Sequence, residues 1–167
     1  GRSGIFMLTY RIMAKGVPEE KIVVVYNWVD EEAVKHVERE HNKLFDAYAL
    51  DRNKFYITYS GNIGLTQNMD MLLEVAKELE LNPDIHFVLI GEGAYKKRVE
   101  EIIAENNINN VTLMPFQPYE DISHVFSLGD AGLVISKPGV GENSVPSKTW
   151  SILSASRPVL ANFDENE

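Results

Sequence analysis

A segment rich in glycine, lysine and small polar residues holds the side chains of this chain that are best suited to bind phosphate. It covers residues 134–161 and reads VISKPGVGENSVPSKTWSILSASRPVLA. Its loop follows an apolar strand predicted over Gly132–Ile135 and precedes a helix predicted over Val145–Ala155. In open α/β sheets ligands bind beyond the carboxyl ends of strands, and helix amino ends favour phosphate. The candidate ligand-binding residues here are Lys137, Gly139, Gly141, Glu142, Asn143, Ser144 and Lys148. An ordinary glycine-rich connection has the same local pattern.

Composition and charge exclude several classes of function. The chain has 167 residues, of which 44% are hydrophobic and 25% charged, as is usual for a soluble globular protein. Its net charge of −9 argues against nucleic acid as the main partner, because phosphate neutralisation needs a basic surface. The absence of cysteine excludes disulfides and thiolate chemistry and suits a cytoplasmic location. The sequence shows neither a signal peptide nor an apolar run of membrane-spanning length.

From residue 55 onward, apolar strands alternate with amphipathic helices. The predicted strands are Phe55–Ser60, Ile85–Ile90, Val111–Met114, Gly132–Ile135 and Val159–Ala161, and the predicted helices are Gln67–Leu81, Tyr95–Asn106, Tyr119–Ser127 and Val145–Ala155. The strands are apolar throughout, which indicates a parallel sheet covered on both faces. We therefore predict a Rossmann-like, doubly wound α/β domain over residues 55–167. Because an apolar strand comes directly before the last residues, we expect the domain to be truncated before its last elements.

Residues 1–54 differ from the rest and are predicted to be a lead-in that packs on the domain. Ile22–Tyr26 has the apolar, β-branched pattern of a strand. Asp30 is a suitable N-cap for a helix through Glu38, and a weaker helical pattern covers Leu44–Leu50.

Several motifs, in order along almost the whole chain, resemble the second domain of family-four glycosyltransferases of the GT-B fold. No single motif is specific for this family, but the ordered series of motifs is. The motifs are the lead-in GVPEEKI with NWVD (residues 16–22 and 27–30), the strand and glycine turn YSGNIG (59–64), the turn IGEG (90–93), the strand NVTLMPF (110–116), the helix start VPSKT (145–149) and the closing strand RPVLA (157–161). The chain most resembles the bacterial branch that builds capsular, colanic-acid or O-antigen polysaccharides.

The resemblance implies that the chain is one half of a two-domain GT-B enzyme, the half that binds the donor. Such enzymes transfer a sugar from a nucleoside-diphosphate donor, here most simply a UDP-sugar, with retention of anomeric configuration and without a metal cofactor. The acceptor, a glycan or lipid-linked molecule, would be held by a missing amino-terminal domain. The full-length protein would be cytoplasmic or peripheral at the inner membrane surface, and the chain alone inactive.

The resemblance also implies roles for individual residues. The glycine turn with Gly61, Asn62, Gly64 and Gln67 would face the diphosphate, together with Ser144 and Lys148, and Gly91 and Gly141 belong to the turns of the site. Glu142 and Asn143 would face the sugar, Ser151 the ribose, and Phe116 with Gln117 the base. The family usually has Arg and Lys at the positions of Asn62 and Gln67, so we expect Lys137 to supply the missing cation. No residue is predicted as a catalytic base.

Two other functions remain open at this stage. A sugar-nucleotide 2-epimerase shares the fold and would need acid/base carboxylates and histidines in the cleft, for which His86 is poorly placed. A flavodoxin- or receiver-like binding module would need an acidic cluster or a hydroxyl-rich loop after the first strand, where the chain has Ser60, Gly61 and Asn62. His36 and His41 are predicted to lie on a solvated helix end rather than to bind metal.

Overall fold

The computed structural model describes residues 9–25, 32–140 and 146–164 and contains one five-stranded parallel sheet. Its strands are β1 (Phe55–Ser60), β2 (Ile85–Ile90), β3 (Val111–Met114), β4 (Ala131–Ile135) and β5 (Val159–Asn162), and they are ordered β3-β2-β1-β4-β5. β1 pairs in parallel with β2 on one side and with β4 on the other. The predicted doubly wound α/β class is therefore confirmed.

Helices precede the sheet and also fill the connections between its strands. The helices are α1 (residues 9–14), α2 (Leu44–Ala47), α3 (Met69–Glu78), α4 (Lys96–Glu105), α5 (Ile122–Ser127) and α6 (Lys148–Ser154). Single 3₁₀ turns at Leu79–Leu81 and Tyr119–Asp121 extend the helical segments predicted there. Within the described ranges, no helix is both long enough and apolar enough to cross a membrane.

Both faces of the sheet are buried, which explains why its strands read as continuous apolar runs. Alternate residues of a strand point to opposite faces. Thus Ile57 and Phe87 pack into a cluster with α3 and α4, whereas Tyr56 and Val88 pack into a second cluster with α2 and α5. Burial on both sides leaves only the strand ends free to carry polar, ligand-facing groups.

Three predicted elements differ from the structure. Residues 22–25, the described part of the predicted strand, pair with no described strand, and the side chain of Val23 is 82% exposed. Residues 32–38 are not helical, because their backbone groups bond to serine hydroxyls of α5 and α6 instead of to one another. The capping role of Asp30 lies outside the described residues. Helix α6 begins at Lys148 rather than at the predicted Val145, and Ser147 is its N-cap residue.

The strand order places a topological switch point between β1 and β4. The chain moves outward from β1 to β2 and β3, and then crosses back to β4 on the other side of β1. The connections after β1 and after β4 therefore diverge and leave a crevice at the carboxyl edge of the sheet, where ligands of such sheets bind.

Candidate nucleotide-binding site

A cavity of about 590 Å³ opens at this switch point, and we call it the main cavity. Its floor is formed by Ser60 and Gly61 at the end of β1 and by Ile90 at the end of β2. The remaining lining residues come from the loop after β3, from α5, from α6 and from the segment before α2: Ala33, Val34, Phe116, Gln117, Pro118, Tyr119, Ile122, Val125, Phe126, Ser147, Lys148 and Ser151. Most of them are apolar, and Lys148 is the single charged residue of the described lining.

A side cavity of about 320 Å³ shares Ser147 and Lys148 with the main cavity. It lies between the loop after β1, the end of β4 and the start of α6, and its lining includes Gln67 and Ser136. The Ser136 hydroxyl oxygen is buried and has no hydrogen-bond partner in the described chain. Lys148 therefore stands where an apolar cavity meets a more polar one.

The ammonium group of Lys148 lies over the face of the Tyr59 ring, 3.8 Å from the ring centroid. Burial lowers the pKa of Lys148 to about 8, because the charged form loses its hydration. No carboxylate of the described residues forms an ion pair with it. A buried cation that lacks a protein counter-ion is suited to an anionic ligand.

Gly61 makes room for this ammonium group. A Cβ atom at residue 61 would lie 2.8 Å from Lys148 Nζ, and the φ angle of +145° is one that other residues rarely adopt. Gly91 supports the same turn from behind, since a Cβ there would lie 1.9 Å from the carbonyl oxygen of Gly61. The two glycines thus allow the ends of β1 and β2 to approach closely beneath Lys148.

The loop after β1 is held by its own side chains. The Tyr59 hydroxyl donates to the carbonyl oxygen of Asn62 over 2.7 Å, and Gln67 Oε1 accepts the amide N–H of Gly64 over 3.1 Å. Asn62 itself is exposed. Gln67 therefore shapes the turn and lines the side cavity. Unlike the lysine that the family usually has at this position, it adds no positive charge to the cavity.

Lys137 lies beside the side cavity, because its neighbour Ser136 and its hydrogen-bond partner Thr66 line that cavity. Its backbone N–H donates to the carbonyl oxygen of Thr66, and its ammonium group lies 5.7 Å from the centroid of the Tyr95 ring. It is absent from the described lining of the main and side cavities. Lys148, and not Lys137, is thus the lysine that faces the switch point.

Of the residues predicted for the site, the structure brings together Gly61, Phe116, Gln117, Lys148 and Ser151 in the main cavity. Phe116 is 54% exposed, so its ring is available to stack, whereas the Gln117 side-chain amide donates to Tyr48 and to the carbonyl oxygen of Pro115. Four further predicted residues, Gly141, Glu142, Asn143 and Ser144, lie outside the described residues.

The described site lacks what the two alternative functions need. His86 lines neither cavity; its ring bonds to the Thr112 hydroxyl, and burial lowers its pKa. No carboxylate appears in the described lining of the main cavity, in contrast to a receiver-like site. Within the described ranges, no group of three or more His, Cys, Asp or Glu residues could hold a metal ion.

Sequence reasoning missed Ala33, Val34 and Tyr119 as lining residues. Tyr119 continues the loop after β3 that was already implicated by Phe116 and Gln117, so its position could have been anticipated. Nothing in the local pattern of Ala33 and Val34 points to the site, because their placement depends on contacts with distant helices.

Residues 40–142 match the family of glycosyl transferases, group 1. The chain belongs to this family. It is 32% identical over 145 residues to WcaI of Escherichia coli K12, which is named as a glycosyl transferase of colanic acid biosynthesis; the match covers 86% of this chain and 35% of WcaI. It is 26% identical over 144 residues to WbjE of Pseudomonas aeruginosa, which is named as a glycosyltransferase, with 86% of this chain and 36% of WbjE covered.

This group 1 family member spans about a third of the length of these two relatives. Solved glycosyltransferase structures share its fold. HepE of Anabaena, crystallised with UDP and glucose, gives a TM-score of 0.75 at 18% identity, over 92% of this chain and 41% of HepE. The carboxy-terminal domain of LpcC from Francisella tularensis, a group 1 family protein, gives 0.63 at 20% identity, over 80% of this chain and 70% of that domain. The predicted resemblance to GT-B glycosyltransferases is confirmed.

Proposed function

We propose that this chain binds the donor of a glycosyltransferase that moves a sugar from a UDP-sugar to a glycan or lipid-linked acceptor. The observation that carries the proposal is Lys148, a buried lysine that no described carboxylate neutralises, at the switch point of a group 1 family fold. A nucleoside diphosphate supplies the negative charge that this position lacks.

The two halves of such a donor match the two kinds of surface at the site. The base and ribose would occupy the main cavity, with the ring of Phe116 available for stacking and the Ser151 hydroxyl for the ribose. The diphosphate would lie at Gly61 and Lys148, where a cation and close backbone approach are available. Negative charge grows on the diphosphate as the glycosidic bond breaks, so a preorganised cation there lowers the barrier.

The wider role rests on relatives rather than on this chain's own geometry. Because WcaI is named for colanic acid biosynthesis, we extend the proposal to bacterial surface polysaccharide synthesis on the cytoplasmic side of the membrane. Transfer would proceed with retention of configuration and without a metal cofactor, with Lys148 and backbone N–H groups in the metal's place. The acceptor would be held by a part of the protein outside this chain.

The test is calorimetric titration of the chain with UDP, with GDP and ADP as comparators. We expect saturable binding that prefers UDP. Lys148→Met keeps a long apolar side chain but removes the charge, and it should weaken UDP binding about 10- to 100-fold, as expected for a charge-assisted contact.

Lys137→Met is the matched control, because it removes a lysine whose ammonium group lies near the Tyr95 ring and that is absent from the described lining of both cavities. We expect it to change UDP affinity less than about threefold. Equal losses in the two variants, or UDP affinity that Lys148→Met leaves unchanged, would contradict the role of Lys148. Failure of every nucleotide to bind would contradict the proposed function itself.

A further inference from the structure

One wall of the main cavity comes from residues that precede the sheet in the chain. Ala33 and Val34 line the cavity, and the side chain of Val34 is only 4% exposed. We call residues 33–37 the strap. It belongs to no regular element, so something other than helical or sheet hydrogen bonds must hold it in place.

Serine hydroxyls hold the strap to α5. The Ser123 hydroxyl accepts the N–H of Lys35 over 3.0 Å and donates to the carbonyl oxygen of Ala33 over 3.0 Å. The Ser127 hydroxyl, one helical turn later, accepts the N–H of Val37 over 2.9 Å and donates to the carbonyl oxygen of Lys35 over 3.3 Å. Each serine thus satisfies one donor and one acceptor of the strap, as a neighbouring strand would.

A second attachment comes from α6. The Ser154 hydroxyl donates to the carbonyl oxygen of Val34 over 2.6 Å, and the His36 ring donates from Nδ1 to the carbonyl oxygen of Ala155 over 3.0 Å. The strap therefore bridges α5 and α6, and it is attached to both by side chains rather than by a backbone ladder.

The same two helices face the cavity with other residues. Ile122, Val125 and Phe126 of α5 line it, as do Lys148 and Ser151 of α6. The spacing between strap-binding and cavity-lining residues is fixed within each short helix. Contacts that fix the distance between α5 and α6 at the strap therefore also fix the width of the main cavity.

We propose that the strap is a positioning element of the nucleotide site, and that attachment of the strap by Ser123, Ser127 and Ser154 and binding of a nucleotide in the main cavity favour each other. This inference rests on the proposed function. A nucleotide that contacts Val34 makes that contact only when the strap is attached, so it binds the attached state more tightly. By linkage, loss of the attachment must weaken nucleotide binding by the same factor.

Hydrogen exchange of the unsubstituted chain tests the coupling directly. The amides of Lys35 and Val37 donate to the serine hydroxyls, so their exchange rates report detachment of the strap. We expect saturating UDP to slow exchange at both amides about tenfold. UDP binding with unchanged exchange at these amides would overturn the inference and leave the proposed function standing. Absence of UDP binding would overturn both.

Substitutions give an independent test. The double variant Ser123→Ala/Ser127→Ala should weaken UDP binding about tenfold and speed exchange at the two amides, whereas Ser123→Thr/Ser127→Thr keeps both hydroxyls and should restore binding. Lys35→Ala is the control, since the Lys35 side chain is 59% exposed and pairs with Glu32 at the surface. Faster exchange in the alanine variant with UDP affinity equal to that of the unsubstituted chain would overturn the inference.

Discussion

Lys148 occupies a position that disfavours its own charge. Burial lowers its pKa to about 8, and its ammonium group contacts the face of Tyr59 instead of a described carboxylate. A lysine at the surface would avoid this desolvation, as does Lys77 through its exposed pair with Glu80. The cost is offset when a diphosphate binds, because the anion restores the interactions that burial removed.

UDP binding should therefore weaken as pH rises. Only protonated Lys148 attracts the diphosphate, so UDP affinity is highest well below pH 8 and falls as the free chain loses this proton. Because complete loss of this charge should cost about 10- to 100-fold, we expect UDP affinity to fall about five- to tenfold from about pH 7 to about pH 9. The terminal phosphate titrates near pH 6 and keeps its charge over this range. Calorimetric titration at several pH values measures the slope.

The free energy of unfolding should change in the opposite direction. The folded-state pKa of about 8 lies below the ordinary value of 10.5, so the unfolded chain binds more protons between these values and stability rises with pH there. The difference in urea stability between the unsubstituted chain and Lys148→Met isolates this contribution. A UDP affinity that is independent of pH would contradict this role of Lys148, and a pH slope that persists in Lys148→Met would assign the titration to another group.

At the scale of elements, the sheet was the most predictable part of the fold. β1, β2 and β3 begin and end at the predicted residues, because continuous apolar runs between glycine and polar turns have few alternative structures. The carboxyl ends of these strands then bring Gly61 and Phe116 to one edge. The spacing of motifs in the sequence was therefore enough to predict that these residues lie in one site.

The strap shows what local pattern could not predict. Asp30 and the residues after it have helical signals, yet residues 32–38 are not helical. The hydroxyls that replace the helical bonds come from Ser123 and Ser127, about ninety positions away. Tertiary contacts of this kind override local propensity, and no window of neighbouring residues contains them.

Arg39 joins the segment before β1 to the opposite, amino-terminal edge of the sheet. Its guanidinium group donates to the carbonyl oxygens of Arg52 and Lys54 and to Asp130, whose other oxygen accepts the N–H of Tyr56. The side chains of Arg39 and Asp130 are 21% and 25% exposed, so this pair is largely desolvated. Removing one partner leaves several groups unsatisfied.

We expect Arg39→Ala to lower the free energy of unfolding by about 3 kcal/mol. UDP affinity should be unchanged, because the network lies at the end of the sheet away from Lys148. Urea denaturation and UDP titration measure the two effects. Arg98→Ala removes an arginine that pairs with Glu101 and Glu105 at 46% exposure, and it should cost less than about 1 kcal/mol. Similar losses in both variants would show that the Arg39 network contributes no more than a surface pair.

At the scale of the whole molecule, the proposed function would make this chain one wall of a cleft. The main and side cavities open at the carboxyl edge of the sheet, and their described lining contains groups suited to hold a donor but no carboxylate or histidine suited to activate an acceptor. The chain covers about a third of each curated relative, so those proteins contain additional residues that could form an opposing wall. We therefore expect donor binding by this chain without sugar transfer.

We expect the chain to bind UDP and UDP-sugars but to release no UDP from a UDP-sugar above the uncatalysed rate. Transfer needs an acceptor hydroxyl held against the sugar, and such positioning supplies on the order of 7 to 11 kcal/mol of the barrier lowering in oriented reactions. It also needs water to be excluded, which an open cavity cannot do. A coupled assay for UDP release, run on chain that calorimetry shows to be saturated with donor, distinguishes the two functions. Sustained UDP release from such a sample would mean that this wall alone contains the catalytic groups, and that the acceptor side serves only to select the hydroxyl.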